Sequence, residues 1–148
     1  MELPEPSDDD VLSRFPHRNI SHDTKNLYRG WLQRKLLINR CPECAYWHHP
    51  AKPVCPRCWS MDIEPREVSG DGTVHLLIHL HQGPPAAGID YSTPHPVAAV
   101  ELDEQAGLRY TSTVINHSPG ELRIGLRVQL TWIERDGAPY PAFEPASK

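Results

Sequence analysis

The sequence lacks the features that would place the protein in a membrane or outside the cell. No apolar stretch approaches the roughly 20 residues that span a bilayer. The first ten residues contain five acids and no basic or long apolar run, unlike a signal peptide. Two disulfides among the four cysteines would need an oxidising compartment, and nothing in the sequence suggests export. We therefore expect a cytoplasmic protein.

The chain also lacks a basic excess. Its 148 residues carry a net charge of −4, which argues against general nucleic-acid binding, because that binding depends on neutralising phosphates. The charge is unevenly distributed, however, since residues 25–57 contain seven basic residues and one acid, Glu43. This segment is either an ordinary solvated surface or a patch that attracts phosphate groups.

Residues that make turns are abundant. The chain has 16 prolines and nine glycines, which favour short strands, turns and extended loops over a helical bundle. Hydrophobic residues make up 39% of the sequence, a modest share that fits a fold held partly by a metal ion.

The four cysteines form two Cys-x-x-Cys pairs, Cys41 with Cys44 and Cys55 with Cys58, separated by ten residues. Paired knuckles of this kind supply the four corners of a tetrahedral, structural Zn²⁺ site. Iron is the competing metal because four thiolates suit both ions, and zinc is the preferred assignment. With every thiolate used as a ligand, no cysteine is left to act as a catalytic nucleophile.

Sequence patterns divide the chain into four segments. Residues 1–20 are acidic and contain prolines, which predicts a flexible tail. Residues 21–36 place apolar side chains three and four positions apart, which predicts an amphipathic helix. Residues 37–61 predict a small, rubredoxin-like zinc ribbon, and residues 62–148 predict a five-stranded OB-fold barrel with an extended C-terminal tail.

The barrel prediction depends on alternating apolar residues. The predicted strands are residues 63–68, 73–81, 97–102, 108–115 and 122–132, and the last is either one long strand or two pieces bent at Gly125. A loop over residues 82–96 interrupts them and has the length of a recognition loop or of a cover for one end of the barrel. The predicted fold class is therefore mainly β: an N-terminal helix, a zinc ribbon and a five-stranded OB-fold barrel.

Three histidines alternate along the strand predicted at 73–81. Val74, Leu76, Ile78 and Leu80 form its apolar face, and His75, His79 and His81 lie on the other. A polar, partly solvated face or one covered by a partner is the preferred interpretation. A second metal site remains the alternative, and it would need further ligands.

Several motifs together resemble a known family. They are the helix with Tyr28 and Trp31, the entry Leu-Leu-Ile-Asn-Arg-Cys-Pro-Glu-Cys, the knuckle Pro-Val-Cys-Pro-Arg-Cys-Trp, and Gly-Asp-Gly-Thr-Val at the start of the barrel. Over residues 23–135 the chain resembles the zinc-ribbon plus OB-fold proteins associated with acyl-CoA metabolism, long catalogued as a domain of unknown function.

This resemblance implies a non-catalytic accessory subunit. Members of the family are partners of thiolase-like enzymes, which carry the carbon–carbon bond chemistry, while the small subunit bridges or stabilises them and helps to hold the CoA thioester. The resemblance makes Arg40, Lys52 and Arg57 candidates for contact with CoA phosphates. It makes the aromatic side chains candidates for a partner interface: Tyr28, Trp31, Tyr91 and Phe143.

Two other functions compete with this prediction. A nucleic-acid-binding module would need a basic groove with stacking aromatics, whereas the barrel half is acidic. A small stand-alone acyl-CoA-binding protein, or an enzyme that uses the histidine-bearing strand, would act without a partner. The sequence contains no spacing that indicates a catalytic triad or a phosphate-binding glycine loop.

Overall fold

The computed structural model describes residues 4–83 and 89–147. Within them the chain forms two helices and eight strands: α1 Asp8–Arg14, α2 Lys25–Leu32, β1 Leu37–Arg40, β2 Trp47–His48, β3 Glu64–Glu67, β4 Asp71–Leu80, β5 His95–Leu102, β6 Arg109–Ser112, β7 Arg127–Arg135 and β8 Ala138–Pro145. None of the helices in this part is long and apolar enough to cross a membrane. The centre of the predicted recognition loop, residues 84–88, lies outside the described residues.

The chain divides into two compact units. The first runs up to Val68 and includes Gly137–Pro139, and the second comprises Ser69–Asp136 and the residues from Tyr140 onward. The first contains both helices and the cysteines, and the second contains most of the barrel strands.

The prediction of an unstructured tail over residues 1–20 is wrong at Asp8–Arg14, which form α1. The N–H of Asp10 donates to Ser7 Oγ at 3.2 Å, and the N–H of Ser7 donates to the Asp10 carboxylate at 3.0 Å. This reciprocal pair is a capping box. Three acids in the first turn also interact favourably with the helix dipole. The acidic run that suggested disorder is therefore the start of a helix.

The second helix is shorter than the predicted 21–36. It ends where Arg34 adopts a left-handed φ of 56°. The N–H of Arg34 then donates to the Trp31 carbonyl at 3.0 Å and that of Lys35 to the Gly30 carbonyl at 2.8 Å. These two bonds form a Schellman motif, which satisfies the last carbonyls of the helix and turns the chain into β1.

The ribbon sheet has the order β2-β1-β3, with all pairs antiparallel. Ile38 on the central strand is buried, as is Leu36 just before it. The segment 63–68 was expected to be the first barrel strand. Its strand, β3, instead pairs with β1, with Leu37 opposite Glu67 and Arg40 opposite Glu64.

The barrel sheet has the order β6-β5-β4-β7-β8. The N–H of Phe143 on β8 donates to the Thr113 carbonyl at 3.0 Å, and the N–H of Ile115 donates to the Phe143 carbonyl at 2.8 Å. These bonds join β8 to the chain just after β6 and curl the sheet into a half-barrel. The predicted count of five strands is confirmed for the described sheet. Its fifth strand, however, is β8, which lies in the segment predicted to be an extended C-terminal tail.

The apolar face predicted for residues 73–81 is only partly buried. Val74 is buried, whereas Leu76 and Ile78 are each 56% exposed. The register with β5 shifts between Val74 and Leu76, and a bulge of this kind moves later side chains to the opposite face. The prediction that Leu76 and Ile78 face the core is therefore wrong.

The last predicted strand, 122–132, begins five residues late. Gly125 has a φ of +93°, and its N–H donates to the Val74 carbonyl at 2.8 Å. The glycine makes a turn before β7 instead of a bend inside a long strand. Ile124 is consequently exposed, although its alternation with Leu126 suggested a shared buried face.

Candidate functional site

Each Cys-x-x-Cys pair lies in the same kind of tight turn. The N–H of Ala45 donates to the Cys41 carbonyl at 2.9 Å, and the N–H of Trp59 donates to the Cys55 carbonyl at the same distance. Ala45 and Trp59 both have left-handed backbone conformations, with φ of 63° and 66°. The two knuckles therefore match in backbone conformation as well as in spacing.

The two knuckles bring all four thiols together. Their Sγ atoms lie within 4.8 Å of one another. The Sγ–Sγ distances are 3.6 Å between Cys41 and Cys58 and 3.6 Å between Cys44 and Cys55. A tetrahedral metal with bonds of about 2.3 Å to sulfur requires edges of about 3.8 Å, so the spacing fits such an ion.

This cluster has the chemistry of a closed structural centre. Four thiolates fill a tetrahedral shell and leave no open position for water or substrate. Cys41 and Cys55 are buried, while Cys58 lies at the surface. The N–H of Arg57 also donates to the Cys55 sulfur at 3.4 Å, which favours the thiolate form of that ligand.

The electrostatics of the thiols favour metal binding. Burial raises the pKa of the Cys55 thiol, but hydrogen bonds from the N–H groups of Cys58 and Arg57 outweigh burial and lower that pKa to about 7. At Cys58 the N–H of Ser60 lowers the pKa, whereas burial and the neighbouring thiols raise it to about 12. Four anionic sulfurs at this spacing repel one another, and a divalent cation relieves that repulsion.

The predicted phosphate-binding arginines both lie over aromatic rings. The Arg40 guanidinium is 5.5 Å from the centre of the Trp47 ring, and that of Arg57 is 6.0 Å from the Tyr46 ring. Arg40 Nε also donates a long bond of 3.4 Å to the Ala45 carbonyl. Stacking holds the two guanidinium groups against consecutive rings of the first knuckle.

Lys52, the third predicted phosphate contact, lies elsewhere in the ribbon unit. It lines a cavity of about 330 Å³ whose wall does not include Arg40 or Arg57. The remaining wall combines polar and apolar side chains: His22, Asp23, Asn26, Asn39, Pro53, Met61, Ile63 and Pro65. Sequence reasoning missed this cavity because its lining comes from four separate stretches of the chain.

Two of the four predicted interface aromatics are core residues. Trp31 is 4% exposed, and its ring packs edge-on against Phe15 of the segment that follows α1, with centroids 5.6 Å apart. Phe143 is 0% exposed and packs near Tyr110, with centroids 6.5 Å apart. Both rings are used within the chain, so the prediction that they contact a partner is replaced by a packing role.

The other two predicted interface residues keep part of their surface. Tyr28 is half-buried, with its ring 4.8 Å from that of Trp31. Tyr91 is also half-buried, and its ring lies edge-on to His95 at 6.5 Å. Their assignment to a partner interface remains a prediction.

The most exposed large apolar side chains were not predicted as contacts. Trp59 is 78% exposed and Met61 is 77% exposed, both directly after the second knuckle. The left-handed conformation of Trp59 and the bond from the Cys55 N–H to the Ser60 carbonyl, 2.8 Å long, fix this backbone. In the sequence, the feature that could have indicated this exposed contact is a tryptophan directly after the metal ligand Cys58.

The histidine-bearing strand does not form a second metal site in the described structure. His79 and His81 are exposed and His75 is half-buried. Within residues 4–83 and 89–147, the four cysteines are the group of three or more His, Cys, Asp or Glu residues whose ligand atoms converge.

Two family models match consecutive parts of the chain. Residues 29–64 match the family model described as the rubredoxin-like zinc ribbon domain of ChsH2. Residues 65–132 match the model described as the C-terminal OB-fold domain of ChsH2.

Two groups of curated relatives are similar to the chain. A Pyrococcus furiosus protein named "DUF35 domain-containing scaffold protein" is 30% identical over 103 residues, which cover 70% of this chain and 73% of that protein. A Thermomonospora curvata protein named "Probable enoyl-CoA hydratase alpha subunit" is 36% identical over 132 residues, or 88% of this chain. This alignment spans 40% of the T. curvata protein, so the chain corresponds to less than half of that relative.

Two solved structures share the fold. A chain of the structure described as "Ltp2-ChsH2(DUF35) aldolase" superimposes with a TM-score of 0.78 at 35% identity, covering 88% of this chain and 100% of that one. A Sulfolobus solfataricus protein of unknown function from the DUF35 family has a TM-score of 0.60 at 15% identity, covering 93% of this chain and 96% of the other. With its zinc ribbon and curled OB-fold sheet in the same order, the chain belongs to the DUF35 family.

Proposed function

We propose that the protein is a non-catalytic accessory subunit that binds a thiolase-like or aldolase-type acyl-CoA enzyme in the cytoplasm. One observation supports this above the others: the chain covers the whole of a chain from the structure described as "Ltp2-ChsH2(DUF35) aldolase". Relatives named as scaffold proteins align with 76% and 70% of this chain.

The chemistry of the chain fits a supporting role. In our proposal the four cysteines hold one Zn²⁺, and the closed shell offers the ion no substrate position. The ion would join the two knuckles and would take no part in a reaction. The partner enzyme then provides the catalytic residues for carbon–carbon bond chemistry.

The exposed edge of the second knuckle suits a docking role. Trp59 and Met61 present two large apolar side chains within three residues, on backbone fixed by the knuckle. Tryptophan is enriched among the residues that dominate binding energy at interfaces. We propose that both insert into the partner enzyme, with Tyr28 and Tyr91 as additional contacts.

The arginines beside the knuckles are proposed to face the CoA thioester. Arg40 and Arg57 each stack on a ring, and this pre-orients a planar group that binds phosphate through paired hydrogen bonds. Lys52 would contribute a further positive charge. This role is separate from docking and can fail independently.

The docking proposal is tested by co-expression with a thiolase-like enzyme encoded in the same host. We expect a complex that elutes as one species and carries the activity, while the isolated small subunit has none. Trp59→Ala should weaken binding by about 30-fold, since a dominant interface residue contributes about 2 kcal/mol. Ile124→Ala removes another exposed apolar side chain and serves as the matched control. Full enzyme activity without co-elution would refute the proposal.

A further inference from the structure

Four polar or aromatic side chains lie at two connections of the barrel unit. Tyr91 and His95 lie at the end of the connection from β4 to β5, and Arg135 and Tyr140 lie on either side of the turn from β7 to β8. The β4–β5 connection joins the first and second strands of the barrel, and the β7–β8 turn joins the fourth and fifth. They are the positions at which OB-folds bind their ligands.

Arg135 is a cation without an anionic partner. Its guanidinium lies 4.1 Å from the centre of the Tyr140 ring, which fixes the plane of the group. Its Nε is buried and has no hydrogen-bond partner. No ion pair or side-chain hydrogen bond involves Arg135 in the described part of the chain. A guanidinium that is held in one plane and makes no side-chain hydrogen bond presents paired donors that suit an oxyanion.

The charged and titratable groups near Arg135 do not neutralise it. His95 lies close enough to feel its charge: burial, and then the positive charge of Arg135, lower the pKa of the His95 imidazole. Its sequence neighbours Glu134 and Asp136 are both exposed, and neither forms an ion pair with it. Within the described residues, Arg135 therefore has no carboxylate at ion-pair distance.

We propose that Arg135, stacked on Tyr140 and accompanied by His95 and Tyr91, forms an oxyanion-binding subsite for a phosphate or carboxylate group. The guanidinium edge supplies the paired donors that such groups accept. Residues 69–148 contain nine acids and five basic residues, so the barrel favours a single anionic group over a polyanion. This subsite goes beyond the accessory-subunit proposal and does not depend on a partner.

The test is a titration of the full-length, metal-loaded protein with three probes at low ionic strength. The probes are inorganic phosphate, acetate and CoA, and the readout is the imidazole NMR resonance of His95, assigned by His95→Gln. We expect the resonance to shift saturably and the pKa of His95 to rise, because a bound anion offsets the charge of Arg135. If CoA binds more tightly than inorganic phosphate, the subsite is assigned to a CoA phosphate. If acetate binds more tightly than inorganic phosphate, the subsite is assigned to a carboxylate.

Substitutions separate a binding role from simple packing. Arg135→Gln should lower the affinity for the tightest-binding probe at least about tenfold, because a hydrogen bond to a charged group contributes a binding free energy of that size. Arg135→Lys should lie between wild type and Arg135→Gln, since it keeps the charge and loses the planar fork. Arg123→Gln, at an exposed arginine that donates to the Glu121 carbonyl, is the control and should bind as wild type does.

Two results would overturn the proposal. One is a His95 resonance that responds to none of the three probes. The other is a response that survives both Arg135 substitutions unchanged. Metal content and the dispersion of the remaining amide resonances verify that each variant is folded, and a misfolded Arg135→Gln leaves Arg135→Lys as the deciding variant.

Discussion

Replacing Phe143 tests whether this side chain is a core residue or an interface residue. Its side chain is 0% exposed, and its backbone forms both hydrogen bonds that join β8 to Thr113 and Ile115. Phe143→Ala would leave a large cavity beneath the curled sheet. Substitutions of this kind cost about 3–5 kcal/mol.

That cost is a large share of the whole, because domains of this size are stable by about 5–15 kcal/mol. Phe143→Leu retains most of the apolar volume and loses the edge contact with Tyr110, 6.5 Å away. We expect it to cost about 1–2 kcal/mol, from a change of shape and a lost aromatic pair. We therefore expect Phe143→Ala to lower the free energy of unfolding more than Phe143→Leu does.

Hydrogen exchange measured by mass spectrometry suits this test, because peptides report the barrel unit separately from the ribbon unit. Protection in β5 and β7 should fall strongly in Phe143→Ala and modestly in Phe143→Leu. Trp59→Ala, at a side chain 78% exposed, is the control and should leave barrel protection unchanged. If Phe143→Ala keeps full protection but loses partner binding, the core assignment is wrong.

Three further predictions address other parts of the structure. Cys58→Ser should reduce the bound metal despite the exposure of this thiol, measured by elemental analysis; unchanged metal content would show that Cys58 is not a ligand. Arg127 forms paired bonds of 2.7 and 2.6 Å with Asp103, so Arg127→Gln should lower the free energy of unfolding near neutral pH, by a small amount because both side chains are exposed to solvent. Hydrogen bonds from Arg127 hold the pKa of Asp103 below its usual range, so the pair's contribution is complete above the unfolded pKa of about 4. It disappears as the pH falls through the folded value, and a loss that persists in acid would contradict this assignment. Ser7→Ala should destabilise α1 by about 1 kcal/mol, seen as faster exchange at Val11, while Ser7→Asp should retain the cap.

The metal centre was predictable because its information is local. Two knuckles of fixed spacing specify both the ligands and the turns that hold them, whatever surrounds them. The OB-fold sheet was predictable from alternation where strands are regular, as in β5. It was not predictable at Leu76 and Ile78, because a single bulge in the register reverses which face each side chain occupies.

Two misassigned segments show why composition misleads. The strand β8 contains Pro139, Pro141 and Pro145, which argue against a central strand, yet β8 lies at the edge of the sheet order, where proline is tolerated. Residues 1–20 combine acids and prolines, yet the cap at Ser7 is enough to start α1. Burial of Trp31 and Phe143 depended on tertiary neighbours that the sequence does not reveal.

The strand order has a consequence for the timing of folding during synthesis. The ribbon strands and all four cysteines lie before Val68, so the metal-binding part of the chain is complete before the first barrel strand has been translated. The half-barrel, by contrast, is joined by hydrogen bonds between Phe143 and Thr113 and Ile115, about 30 positions earlier in the chain. Contacts this distant form late. A nascent chain should therefore capture its ion while its barrel strands still expose the apolar residues that β8 will cover.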